Sequence, residues 1–142
     1  KRNLPNVIAV HVPHRTCGAF LAIVKMKTTA QGEPQQAILA ALGTEFYTKY
    51  VIVVDEDVDI FDMNDVMWAI ATRVKAEQDI VFIPGCKGAI LDPSSDPETF
   101  TLTKRGIDAT RPVGRDFAER LVISDTQRAR VRGILEAAGV KL

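Results

Sequence analysis

Apolar residues fall along this chain in two rhythms. Val7 to Val12 and Ala19 to Met26 are short runs with strand composition, and Tyr50 to Val54 is apolar at every position. A strand without polar alternation has both faces buried, so Tyr50 to Val54 is expected at the centre of a sheet covered by helices. Between these runs the period lengthens. Ile38, Leu39 and Leu42 form a stripe between Gly32-Glu33-Pro34, where proline suits the first helical position, and Gly43, which supplies the stop. Asp62 is placed to cap a second helix carrying Val66, Met67, Ile70 and Val74 at helical spacing. Asp65 favours the positive N-terminal end of that helix and Lys75 the negative C-terminal end. Ile80 to Ile83 reads as a short strand stopped by Pro84-Gly85.

Beyond Pro84 the periodicity fades. Gly85 to Pro97, rich in Gly, Pro, Ser and Asp, is expected to cross the domain irregularly, and Thr99 to Pro112 reads as polar, punctuated chain. A last helix starts at the Ser124-Asp125 cap and ends before Gly139. It gathers Val131, Ile134, Leu135 and Ala138 on one face, with Arg128, Arg130 and Arg132 elsewhere, a pattern suited to a subunit interface. The order of elements predicts an α/β fold: a three-layer sandwich with a mainly parallel sheet, plus an irregular tail and a C-terminal helix, as one domain over 1–142. Sheets of this class host many chemistries, so the class does not decide function.

Composition narrows the partners. A chain of 142 residues that is 46% hydrophobic can bury a core as a single domain. Its 18 basic and 18 acidic residues balance, so no global field draws it to nucleic acid or to an anionic membrane. The apolar runs are strand-sized, well short of the roughly 20 residues that span a bilayer, and no signal-peptide pattern opens the chain, so a soluble cytoplasmic protein is expected. Cys17 and Cys86, the two cysteines present, fit reduced thiols. The chain opens on Lys1-Arg2 without an initiator methionine and reads as a fragment of something longer.

Three constellations invite chemistry. Asp55, Glu56, Asp57 and Asp59 follow the buried strand, where open α/β sheets bind ligands, and alternating carboxylates there suit Mg²⁺ or Mn²⁺. Short acidic residues also cap turns where a buried strand meets water, and that structural role is the favoured one. His14 and Cys17 have a ligand-like spacing, but His11 and Cys86 are the only other soft donors and do not make a second pair. Gly85-Cys86-Lys87-Gly88 has small residues and a cation for a phosphate but lacks the P-loop spacing and a following helix pattern.

Three further segments carry a resemblance, and they occur in one family's order. KYVIVVDEDVDIFDMNDVMWAIATR (Lys49 to Arg73), KGAILDP (Lys87 to Pro93) and TKRGIDATRP (Thr103 to Pro112) resemble the C-terminal region of the UbiD decarboxylases. The resemblance implies the C-terminal domain of an enzyme that reversibly removes CO₂ from an aromatic or α,β-unsaturated carboxylic acid. It implies prenylated FMN as cofactor, held with Mn²⁺ and a monovalent cation in a preceding flavin-binding domain absent from this sequence. The family's catalytic residues lie in that domain, so no catalytic residue, metal ligand or cofactor contact is assigned here. This domain is then expected to be inactive alone, to close the substrate pocket over its own flavin-binding domain, and to support a homo-oligomer. Ala89 and Leu91 match positions that wall the substrate side of the pocket. The alternatives are a self-association module, or a metal-dependent phosphate-handling domain that uses the 55–59 turn.

Overall fold

The computed structural model describes residues 4–121 and 123–140, so the opening Lys1-Arg2 lies outside it. The elements run β1 (Val7–His11), β2 (Leu21–Met26), α1 (Glu33–Thr44), β3 (Tyr50–Asp55), α2 (Met63–Arg73), α3 (Ala76–Asp79), β4 (Ile80–Lys87), β5 (Thr101–Ala109) and α4 (Asp125–Ala137). The strands form one sheet in the order β1-β2-β3-β5-β4. As its apolar run requires, β3 lies at the centre, and Val51 to Asp55 are all buried.

The sheet is mixed. β3 runs parallel to β2 and to β5, while each edge strand pairs antiparallel with its neighbour. Antiparallel neighbours need only a loop between them, whereas a parallel pair needs a crossover, and α1 supplies one between β2 and β3. Helices on both faces complete the three layers. Under α1 pack Ala22, Val24, Met26, Val51 and Val53, joined by Ile38 and Leu42 from the helix. On the other face Ile23, Ile52, Val54 and Ala109 meet Val66 and Ala69 of α2, with Val58 and Ile60 from the turn between. Asp62 caps α2 as expected, accepting from the Asn64 N–H at 2.9 Å.

The polar stretch after Thr99 is a correction to the sequence reading, because it contains β5, which lies beside the central strand. Two of its polar residues, Lys104 and Asp108, turn inward to partners on α1, so no apolar run announces it. Lys104, 4% exposed, donates its ammonium to the carbonyls of Leu42 (2.7 Å) and Glu45 (2.8 Å), closing the C-terminus of α1. Asp108 accepts from Gln35 Nε2 at 3.0 Å. Gly106 leaves room for the helix: a Cβ there would run into Cγ2 of buried Ile38. β4 also outlasts its expected stop and continues through Pro84-Gly85 to Lys87. An edge strand tolerates a proline with no N–H to pair, and the pairing register shifts between Ile83 and Cys86 at Gly85, whose φ is 70°.

At the far end, α4 begins with a capping box in which Ser124 and Gln127 each accept the other's backbone N–H. No residue of α4 is buried, and Val131 and Ile134 are more than half exposed.

Candidate functional site

Where the parallel strands end, the acidic turn is already neutralised. Arg73, at the last turn of α2, has a side chain only 2% exposed, and its guanidinium donates to Asp55 at 3.0 Å and to both oxygens of Asp57 at 3.1 and 2.7 Å. Arg111, just past β5, donates its backbone N–H to Asp55 at 2.7 Å and its Nε at 3.3 Å. Burial by itself would raise the Asp57 carboxyl, but the hydrogen bond and charge of Arg73, with Arg111 behind it, hold it below the usual carboxylate range. Asp59 accepts from the Phe61 N–H at 2.9 Å, and Asp65 accepts from the Asp59 N–H at 2.7 Å. These carboxylates therefore tie β3, α2 and the segment after β5 together. Among the described residues no group of three or more His, Cys, Asp or Glu is arranged to hold a metal ion.

The other two constellations separate in space. His11 lies on edge strand β1, where its ring meets Phe61 at 4.7 Å, and Cys86 lies on β4 at the opposite edge. Cys17 is an exposed free thiol in the β1–β2 loop. Gly85 to Lys87 belongs to β4, paired with β5 through Cys86 and Lys87, and is not a phosphate-cradling loop opening a helix.

At the opposite end of the parallel strands the chain displays apolar groups on a fixed support. After β4 the segment 88–94 turns outward, leaving Ile90 78% and Leu91 83% exposed while Ala89 is buried beneath them. Asp92 fixes this segment. Its carboxylate takes the Lys49 ammonium at 2.9 and 2.7 Å, and Oδ1 also accepts from the Ser94 N–H and hydroxyl. Burial acts to raise Asp92, but Lys49 and Ser94 outweigh it and keep the carboxyl below its ordinary range. Lys49 itself sits 4.8 Å over the Phe20 ring and donates to Ser94 Oγ at 2.8 Å. Beside it an apolar hollow of about 510 Å³ opens between α2 and the sheet, lined by Phe20, Leu21, Tyr50, Met67 and Ile107. The sequence reading named Ala89 and Leu91 but missed Lys49 and Asp92. The signal for that pair lay in a lysine directly before the central strand and an aspartate inside KGAILDP, which only the fold brings together.

Ile90 and Leu91 thus stand exposed on a turn that the Asp92–Lys49 pair holds in place. Comparison with known proteins bears on the role of that turn. The family model described as 3-octaprenyl-4-hydroxybenzoate carboxy-lyase C-terminal domain matches residues 1–109. The chain is 42% identical over 127 residues to the anhydromevalonate phosphate decarboxylase of Methanocaldococcus jannaschii, covering 88% of this chain and 30% of that protein. The chain thus spans under a third of the length of such curated relatives. Among solved structures it is similar to the UbiD-class enzyme HmfF from Pelotomaculum thermopropionicum in complex with FMN, with a TM-score of 0.82 and 32% identity over 93% of this chain and 30% of that one. It is also similar to the vanillic acid decarboxylase of Sedimentibacter hydroxybenzoicus in its open form, with a TM-score of 0.76 and 34% identity over 98% of this chain and 30% of that one. The relatives are decarboxylases, and the part of them that this fold reproduces is the C-terminal one: the chain belongs to the UbiD family of carboxy-lyases, as its C-terminal domain.

Proposed function

We propose that this domain forms a wall of the substrate pocket in a cytoplasmic, homo-oligomeric decarboxylase that removes CO₂ from an aromatic or α,β-unsaturated carboxylic acid. The observation that carries this reading is the 88–94 segment, whose Ile90 and Leu91 are bared to solvent while the Asp92–Lys49 pair holds the backbone beneath them. An apolar wall facing an acid substrate excludes water from the reacting carboxylate, and a pinned segment keeps it in place when the domains close. Leu91 supplies the contact and Ala89 the packing under it. A small residue at 89 lets the turn lie flat against the domain.

The acid's chemical class is carried by the relatives, whose names include an anhydromevalonate phosphate decarboxylase and a vanillic acid decarboxylase. Prenylated FMN, with Mn²⁺ and a monovalent cation, belongs to the same reading, and an evolved form of HmfF is known in complex with prFMN. The acidic turn fits neither the metal nor the flavin phosphate. The carboxylates of the acidic turn are engaged by Arg73, Arg111 and backbone N–H groups, so those groups fall to the flavin-binding domain. No step of the chemistry is routed through this chain, which is inactive alone.

Leu91→Ala in the full-length enzyme tests the proposal. Relative rates across a panel of aromatic and unsaturated acids should change, by about tenfold for the best against the worst, with flavin content unaltered. Unchanged relative rates would remove Leu91 from the pocket.

A further inference from the structure

Beside the Lys49–Asp92 pair an apolar hollow of about 510 Å³ stands open between α2 and the sheet, and the pocket wall at Leu91 gives it no role. Taking Leu91 as that wall, we propose that the hollow is the subsite for the apolar skeleton of the acid, the chain or ring that lies beyond the reacting carboxylate.

α2 leaves this part of the sheet uncovered. Val66 and Ala69 close over Val54 and Ala109 near the ends of the strands, whereas Leu21 and Tyr50, in register with each other, stand at the starts of β2 and β3. Ile52 and Ile107, also in register, continue the floor towards α2. Met67, one of the apolar residues at helical spacing on α2, lines the hollow and is 54% exposed. An unbranched thioether side chain adapts to apolar partners of different shape. A floor built from three strands with one adaptable wall suits a small molecule, and the volume falls in the roughly 300–1,000 Å³ that small-molecule pockets span.

Position and charge point to the acid as the occupant. Lys49 lines the hollow, and its ammonium holds Asp92, the residue after Leu91, so the hollow and the wall share an edge. Among the described residues no aspartate or glutamate lines the hollow, whereas Lys49 and Arg105 both do. The Arg105 guanidinium carbon lies 5.7 Å from the centre of the Tyr50 ring and 4.9 Å from that of Phe82, which keeps the charge at the side of the floor. A carboxylate passing this rim is attracted, and the release of water from the apolar floor favours the skeleton behind it.

Titration calorimetry on the full-length enzyme with butanoate, hexanoate, octanoate and decanoate tests the subsite; these saturated acids lack the unsaturation of the substrate class and bind without turnover. Each added methylene should tighten binding by about threefold until the hollow is filled. Met67→Glu, which sets a carboxylate in the lining, should flatten the series so that octanoate binds within about threefold of butanoate, whereas Met67→Leu should keep its slope. Met67 is exposed, so both variants should keep the wild-type thermal midpoint, and Leu39→Glu, exposed on α1, should leave the series unchanged. A flat series in the wild-type enzyme, the result expected if another domain or a second copy of the chain covers the hollow, overturns the proposal. So does a series as steep in Met67→Glu as in wild type. Leu91→Ala separates the subsite from the wall: altered relative rates across the acid panel together with a flat series remove the subsite and leave the wall, and unchanged rates with a steep series do the reverse.

Discussion

Replacing Arg73 with methionine exposes what the acidic turn does. The substitution keeps most of the side-chain volume but removes the guanidinium that Asp55 and Asp57 share. Asp57, whose side chain is 33% exposed, can rehydrate; Asp55, at 8%, cannot, and keeps only the N–H and Nε of Arg111. Removing one partner of a buried pair costs about 3–5 kcal/mol, and the surviving Arg111 contacts place this case near the lower end, at about 3 kcal/mol. The Trp68 ring, 4.9 Å from the guanidinium carbon, loses a cation–π contact that adds about 0.5 kcal/mol. With a urea dependence of about 2 kcal/mol per molar, the unfolding midpoint should fall by roughly 1.75 M. Adding Asp55→Asn should recover about half of the loss, because the uncompensated charge is then gone while an amide oxygen still accepts from the Arg111 N–H. Urea unfolding followed by Trp68 fluorescence makes the measurement. An Arg73→Met midpoint close to wild type, or a double variant no more stable than the single, would refute the account of the turn as a charge-neutralised clasp.

Gly106→Ala should destabilise the fold by about 1–3 kcal/mol, since the new methyl meets Ile38 in a packed layer; Ile38→Ala added to it should restore part of the loss, and thermal unfolding of the pair checks both. Asp57, Asp65 and Asp92 have folded carboxyls below their ordinary range, so the stability they contribute is present above that range and lost as pH falls through their lowered folded values. Asp108 is raised by burial and runs the other way, its contribution present at low pH and lost as pH rises through its folded value. Relative to wild type, Asp108→Asn should therefore gain stability as pH rises above about 4, whereas Asp92→Asn should lose it as pH rises towards about 4 and stay below wild type from there up, read from urea midpoints at each pH; parallel profiles for the two variants would contradict this assignment.

Local pattern determined much of this protein. The continuous apolar run at Tyr50–Val54 determined a strand with both faces covered, and Pro34 and Asp62 marked where two helices begin, because these features act within a few residues and owe little to the rest of the fold. The motifs VDEDVD, KGAILDP and GIDAT likewise pointed to the family without any coordinates. Tertiary structure alone decided the rest. β5 was hidden because Lys104, Gly106 and Asp108 owe their burial to α1, some 60 to 70 residues earlier, and a polar side chain reads as exposed until its distant partner is known. The same holds at the two ends of the sheet. The carboxylates of the 55–59 turn offer both a metal site and a structural role until Arg73 and Arg111 arrive from other elements, and the exposure of Leu91 follows from a turn that Asp92 and Lys49 hold together across the fold. Spacing along the chain reports which groups a sequence contains, whereas charge compensation and exposure depend on which groups meet.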